Sequence, residues 1–98
     1  MTKPDTIQFI RKNEVLARFG YTNSTLYDRI KNKLMPCSIN LGGNAVGWLK
    51  HEVDSVAAAI VEGKSNDEIK IIVSELEADR KNASKWLERN PTETNQAA

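Results

Sequence analysis

The hydrophobic period of this 98-residue chain changes at Pro36, and that change constrains the fold more than any other feature. Before it, Leu26, Ile30 and Leu34 recur every four residues, the spacing of one face of a helix. After it, Ile39 and Leu41 alternate with Ser38 and Asn40, and Val46 and Trp48 resume the alternation beyond Gly42-Gly43-Asn44. Side chains at period two line one face of a strand, and the three intervening residues tolerate positive φ, so residues 38–48 are predicted to form a hairpin. Proline lacks an N–H and disfavours helix in the residue before it, so the preceding helix has to stop.

Upstream, Val15, Leu16 and Phe19 share one side of a short helix over residues 13–19, and Gly20 follows where a left-handed C-cap is wanted. Thr22 suits the N-cap of a second helix, with Tyr21 and Leu26 placed for a hydrophobic staple. Two short helices joined by Gly20-Tyr21-Thr22 have the turn geometry of a helix-turn-helix. Ahead of them, residues 6–11 read as a short strand or an extended arm.

Downstream, a third helix starts near Lys50 or His51. It carries Glu52 and Asp54 where the helix dipole favours acids, is expected to bury Val53, Val56, Ala57, Ile60 and Val61, and stops at Gly63. Ser65-Asn66-Asp67-Glu68 then fits a capping box ahead of Ile69, Ile72, Val73 and Leu76. The apolar seam weakens at Asp79-Arg80 and returns at Ala83, Trp86 and Leu87. One helix running to Arg89 would be about 36 Å long, longer than the body it leaves, so part of it is expected to find no packing in its own chain. Trp86 either folds back or meets another chain, and its distal position favours the second. Residues 91–98 are polar and without pattern, and are expected to form a disordered tail.

A chain this short suits one core. It has no apolar run near the eighteen residues of a membrane span and no basic-then-apolar leader, so the expectation is a soluble, cytoplasmic protein with no membrane partner. Cys37 and His51 are each the only residue of their type. An intrachain disulfide and a thiolate metal cage are therefore excluded, and a Cys–His catalytic pair would still need a third, orienting group. No catalytic residue, metal, cofactor or small-molecule substrate is expected. The net charge of +1 conceals an asymmetry: residues 1–50 hold eight Lys/Arg against three acids, whereas residues 51–98 hold six against ten. A first half at +5 and a second at −4 suggest that the first faces a polyanion. A helix held at its N-terminus by a tight turn can enter the major groove, about 12 Å wide, while a hairpin beside it touches sugar and phosphate. The expected class is thus mainly α with a small β-hairpin wing: a winged helix-turn-helix plus a long C-terminal helix.

Residues 14–27, reading Glu-Val-Leu-Ala-Arg-Phe-Gly-Tyr-Thr-Asn-Ser-Thr-Leu-Tyr, resemble the AlpA family of phage-type regulators. So do Leu41-Gly42-Gly43-Asn44-Ala45-Val46-Gly47-Trp48-Leu49 and Glu52-Val53-Asp54. That family belongs with the excisionase and MerR-like winged helices. The resemblance covers about residues 10–54 and nothing after Gly63. It implies a non-catalytic DNA-binding regulator of transcription, or a recombination directionality factor (excisionase), of prophages and integrative elements, acting near integrase genes or attachment sites.

Carried onto this sequence, the resemblance makes the second helix the recognition helix, with Asn23, Ser24, Thr25, Tyr27, Asp28 and Lys31 as candidate contacts. Asn40, Gly42, Gly43 and Asn44 become the wing, and Arg11, Lys12, Arg29 and Lys33 candidate contacts to the DNA backbone. Tyr27 is read equally as a phosphate donor or as a core side chain with a wet tip. Trp48 is read as a core anchor. The family commonly has basic residues where this chain has Asn23, Asp28 and Asn44, and an aromatic where it has Val56. Fewer phosphate contacts weaken binding, so several copies are expected to act together on double-stranded DNA. Ile69, Ile72, Val73, Leu76 and Trp86 are the expected association seam, and an integrase is a second candidate partner. The expected organisation is a DNA-binding domain over residues 1–63, an association helix over 64–90 and the tail. The competing reading is a protein-interaction adaptor that has lost DNA affinity and binds through its last helix.

Overall fold

A computed structural model of the chain describes residues 7–86. In chain order they form β1 (Phe9–Ile10), α1 (Lys12–Phe19), α2 (Asn23–Lys31), β2 (Ile39–Gly42), β3 (Ala45–Leu49), α3 (Lys50–Val61) and α4 (Asn66–Ala78), then a 3-10 turn (Asp79–Asn82) and α5 (Ala83–Trp86). The protein is mainly helical, with one small antiparallel sheet ordered β1-β3-β2. Among the described residues no helix is long and apolar enough to cross a membrane.

Local signals set the first half. Gly20 ends α1 at φ 69°, and its N–H and that of Tyr21 both donate to the Leu16 carbonyl. The Thr22 hydroxyl accepts the Thr25 N–H at 3.2 Å, capping α2, and Tyr21 stacks on Phe19 with ring centroids 5.1 Å apart. Although Leu26, Ile30 and Leu34 read as one helical stripe, α2 stops at Lys31. Lys33 turns left-handed at φ 64°, its N–H donates to the Ile30 carbonyl, and the Leu34 N–H reaches the Arg29 carbonyl at 2.8 Å. That is a Schellman closure, and Leu34 still packs against the core.

The predicted hairpin is β2–β3, with Ile39 opposite Gly47, Gly42 opposite Ala45, and a bulge at Leu41. Gly43 takes positive φ (55°) at the first position of the two-residue turn, which a side chain would resist. Gly47 answers a different need. A Cβ there would lie 2.8 Å from Leu41 Cδ1 and 3.2 Å from the Ile10 carbonyl, so its absence lets β2 and β1 close on β3. The expected N-terminal strand is present as β1, pairing Ile10 with Trp48; Thr6 lies outside the described residues.

The core is one cluster of Ile10, Val15, Leu26, Met35, Trp48, Val53, Val56, Ala59, Ile69, Val73 and Leu76, drawn from both sides of Gly63. Two expectations are corrected here. In α3, Val53 and Val56 are buried as expected, but Ile60 is exposed and Val61 is 86% exposed, while Ala59 and Glu52 are buried instead. The inward face of α3 is rotated toward Glu52 because Arg80 supplies a partner for its carboxylate.

The C-terminal rod also differs from the single helix expected. The capping box at Ser65 and Glu68 is present, with Ser65 Oγ accepting the Glu68 N–H and Glu68 Oε1 accepting the Ser65 N–H. The helix nevertheless breaks after Ala78, and Trp86 folds back. Trp86 Nε1 donates to Asp79 Oδ2 at 3.1 Å, and its ring meets His51 edge-on with centroids 4.9 Å apart. The seam expected to meet another chain is therefore packed within this one: Ile69, Val73, Leu76 and Trp86 are buried and Ile72 partly so. The expected end of the last helix at residues 87–89 and the expected tail lie outside the described residues.

Candidate nucleic-acid interface

Burial of Leu26 and partial burial of Ile30 fix the rotation of α2. At about 100° per residue, Ser24, Asp28 and Lys31 then point away from the core, Asn23 and Tyr27 follow one flank, and Thr25 and Arg29 follow the other. Asn23, Ser24, Tyr27, Asp28 and Lys31 are all exposed. Thr25 is tied into the cap, where its hydroxyl accepts from the Thr22 hydroxyl at 3.0 Å.

The Tyr27 flank meets two other elements. Arg11, Lys12, Asn13, Tyr27, Asn44 and Val46 line an open cleft of about 220 Å³ between the start of α1, α2 and the tip of the hairpin. Lys12 Nζ sits 5.6 Å from the Tyr27 ring centroid, a cation–π distance. Arg11 Nε donates to the Val46 carbonyl at 3.0 Å, fastening α1 to the hairpin. Asn40, Gly42, Gly43 and Asn44 are exposed at the tip, and Asn40 Oδ1 accepts the Gly42 N–H at 2.8 Å. The structure thus brings Arg11, Lys12, Tyr27 and Asn44 together. It does not bring in Arg29, which lies over the Tyr21 ring in a separate groove with Leu34, Ile60, Lys64, Asn66 and Ile69. Lys33 stands on the α2–β2 connection, 3.9 Å from Glu77 Oε1.

Two carboxylates, Glu14 on α1 and Asp54 on α3, are occupied by basic side chains. Arg18 bridges Glu14 at 3.0 Å and Asp54 at 2.7 Å, and Lys50 reaches the other Asp54 oxygen at 2.8 Å. Partial burial works to raise the Asp54 pKa, but Lys50 and Arg18 outweigh it and hold the carboxyl below its ordinary value. Hydrogen bonding to Glu14 and the pull of Asp54 raise the Arg18 pKa. Among the described residues, Arg11, Lys12 and Lys31 form no ion pair.

Sequence reasoning missed Asn13 in the cleft and the polar link that holds the hairpin from behind. Arg80 Nε and Nη2 bind both oxygens of the fully buried Glu52 at 2.9 and 2.6 Å, and Nη2 also donates to the Cys37 carbonyl at 2.8 Å. The fading apolar seam at Asp79-Arg80 was its one visible trace.

In comparison with known proteins, residues 8–56 match the family model described as prophage CP4-57 regulatory protein (AlpA). A protein of Enterobacteria phage P4 described as uncharacterized protein ORF88 is 36% identical over 66 residues, covering 65% of this chain and 75% of the relative. No solved structure matches the chain. The family match takes in β1 through the first half of α3, and with them every residue that lines the cleft.

Proposed function

The chain belongs to the AlpA family of prophage regulatory proteins, and from that premise we propose that it binds double-stranded DNA sequence-specifically, as a winged helix-turn-helix. The observation that carries this reading is the convergence of Arg11, Lys12, Tyr27 and Asn44 in one cleft beside the exposed face of α2. In this reading α2 lies in the major groove. Asn23 reads adenine through its amide, Asp28 accepts from a cytosine amino group, and Ser24 and Lys31 contact the strands beside them. Arg11, Lys12, the Tyr27 hydroxyl and the β2–β3 tip hold the sugar–phosphate backbone across the adjoining groove.

The protein acts in transcription regulation or as an excisionase of a mobile element, near integrase genes or attachment sites, with several copies cooperating on DNA. Because Ile69, Val73, Leu76 and Trp86 are buried within the chain, that cooperation uses other surface or the DNA itself.

The test is a mobility shift on labelled duplexes from the region upstream of its own gene and from the attachment sites of its element, across a salt series. Affinity should fall as salt rises, since each neutralised phosphate releases counterions. Lys31→Ala should weaken binding to all sequences alike and lower the salt slope by about one. Asn23→Ala should relax discrimination at one base pair by roughly 1–3 kcal/mol. A wild-type protein that shifts none of these duplexes at low salt would favour the adaptor reading, and unchanged binding in both variants would remove α2 from the groove.

A further inference from the structure

We infer that Glu77 and Arg80 are positioning residues for DNA binding, which set the angle between α2 and the β2–β3 hairpin by holding the two peptide groups that flank the Cys37 Cα. This rests on the reading of α2 and the hairpin as the two arms of the DNA clamp. Both residues lie beyond the segment that matches the family, which ends at residue 56.

The two arms are joined by residues 32–38. Within that connection Met35 and Pro36 are buried, and the Pro36 carbonyl accepts the Trp48 indole N–H at 3.0 Å. At Cys37 the hold passes to the C-terminal helices. Its N–H donates to Glu77 Oε2 at 2.9 Å, its carbonyl accepts from Arg80 Nη2 at 2.8 Å, and its sulfur from Arg80 Nη1 at 3.3 Å. The guanidinium is itself aimed by the buried Glu52 carboxylate, and that hydrogen bonding raises the Arg80 pKa, so it stays charged.

Both hydrogen bonds to the Cys37 backbone are charge-assisted, the stronger class. Cys37 stands two residues before β2, and the tip at Gly43 is six residues on, roughly 20 Å of extended chain. Because β2 is an edge strand paired with β3 alone, a change at the Cys37 backbone is carried along β2 to the tip beside Asn44. Val73 and Leu76, both fully buried, hold α4 in place without Glu77, so its carboxylate can be deleted with the helix still packed.

The experiment uses the full chain, isotope-labelled, as wild type, Glu77→Ala and Glu77→Gln. Residual dipolar couplings give the orientation of the hairpin amides relative to α2, thermal melting gives stability, and the duplex titration gives affinity. Glu77→Ala should melt somewhat below wild type, because the folded chain loses one charge-assisted hydrogen bond, but still cooperatively, and it should rotate the hairpin and weaken DNA binding. Glu77→Gln retains an oxygen that accepts the Cys37 N–H and should restore both readouts. Asn44→Ala should cost less affinity in the Glu77→Ala background than alone, because the tip is already displaced.

Arg80→Ala would strand a buried carboxylate, so Arg80 is tested as the pair Glu52→Gln with Arg80→Gln, with the same rotation expected. An unchanged hairpin orientation in Glu77→Ala, or a rotated hairpin with undiminished affinity, overturns the inference while leaving the proposed function standing. A wild type that binds no duplex overturns the proposed function, and the positioning role for DNA falls with it.

Discussion

His51 and Glu52 are neighbours in α3 with opposite electrostatic situations. Glu52 is wholly buried and bound by Arg80 through both oxygens, whereas His51 is half-buried against the edge of Trp86. Loss of solvation lowers the His51 pKa below its ordinary value. Arg80 pushes the same way, and Glu52, Asp79 and Asp54 oppose it. The folded state thus favours neutral imidazole, and between the folded and unfolded pKa values the unfolded chain binds more protons. The stability linked to His51 is complete above the unfolded value, about 6.5, and is lost as pH falls through the folded one. Thermal melts from pH 8 to pH 5 should decline from near pH 6.5 downward, and His51→Gln should flatten that part of the profile. An identical decline in the variant would assign it to carboxylates instead. Neither residue's situation was legible in the sequence: Glu52 reads as a first-turn acid suited to the helix dipole, since nothing local points to a partner 28 residues away. The exposed side chains of α2 were legible, because Leu26 and Ile30 alone determine which face turns outward.

At the scale of elements, what could be read was what short-range chemistry decides. Gly20, Thr22 and the Ser65–Glu68 box sit where their caps require them, and the change of period at Pro36 located the hairpin. The break after Ala78 was illegible because no proline or glycine marks it. It accompanies local hydrogen bonds, in which Asp79 accepts from the Asn82 amide and the Trp86 indole, and one long-range pairing, in which Arg80 turns inward to Glu52. The end of α2 was misread for a related reason, since Leu34 keeps the helical spacing although the backbone has already reversed at Lys33. A lysine at φ 64° bears the steric cost that glycine avoids. Lys33→Gly should therefore raise stability by about 1 kcal/mol, as its exposed, 3.9 Å pair with Glu77 contributes little. Urea denaturation checks this through an increased midpoint; an unchanged or lower one would mean that the reversal is not strained.

Over the whole molecule, the acidic second half is a layer of the same core rather than a separate body. Ile69, Val73 and Leu76 cover Val53, Val56 and Ala59, and Arg80 neutralises Glu52. A chain truncated after Lys64 loses those side chains at about 2–5 kcal/mol each and leaves a buried carboxylate unpaired, against a typical total stability of about 5–15 kcal/mol. It should show neither a cooperative thermal transition nor dispersed amide resonances, and a sharp melt would contradict this account of the core. The two tryptophans belong to different elements of this arrangement: Trp48 is on β3 with its indole N–H on the Pro36 carbonyl, and Trp86 lies against Asp79 and His51. Each is an intrinsic fluorophore in a distinct polar setting. With Trp86 replaced by phenylalanine, emission would report the hairpin alone, and with Trp48 replaced, the C-terminal segment alone, so movement of each element can be followed optically without an added label.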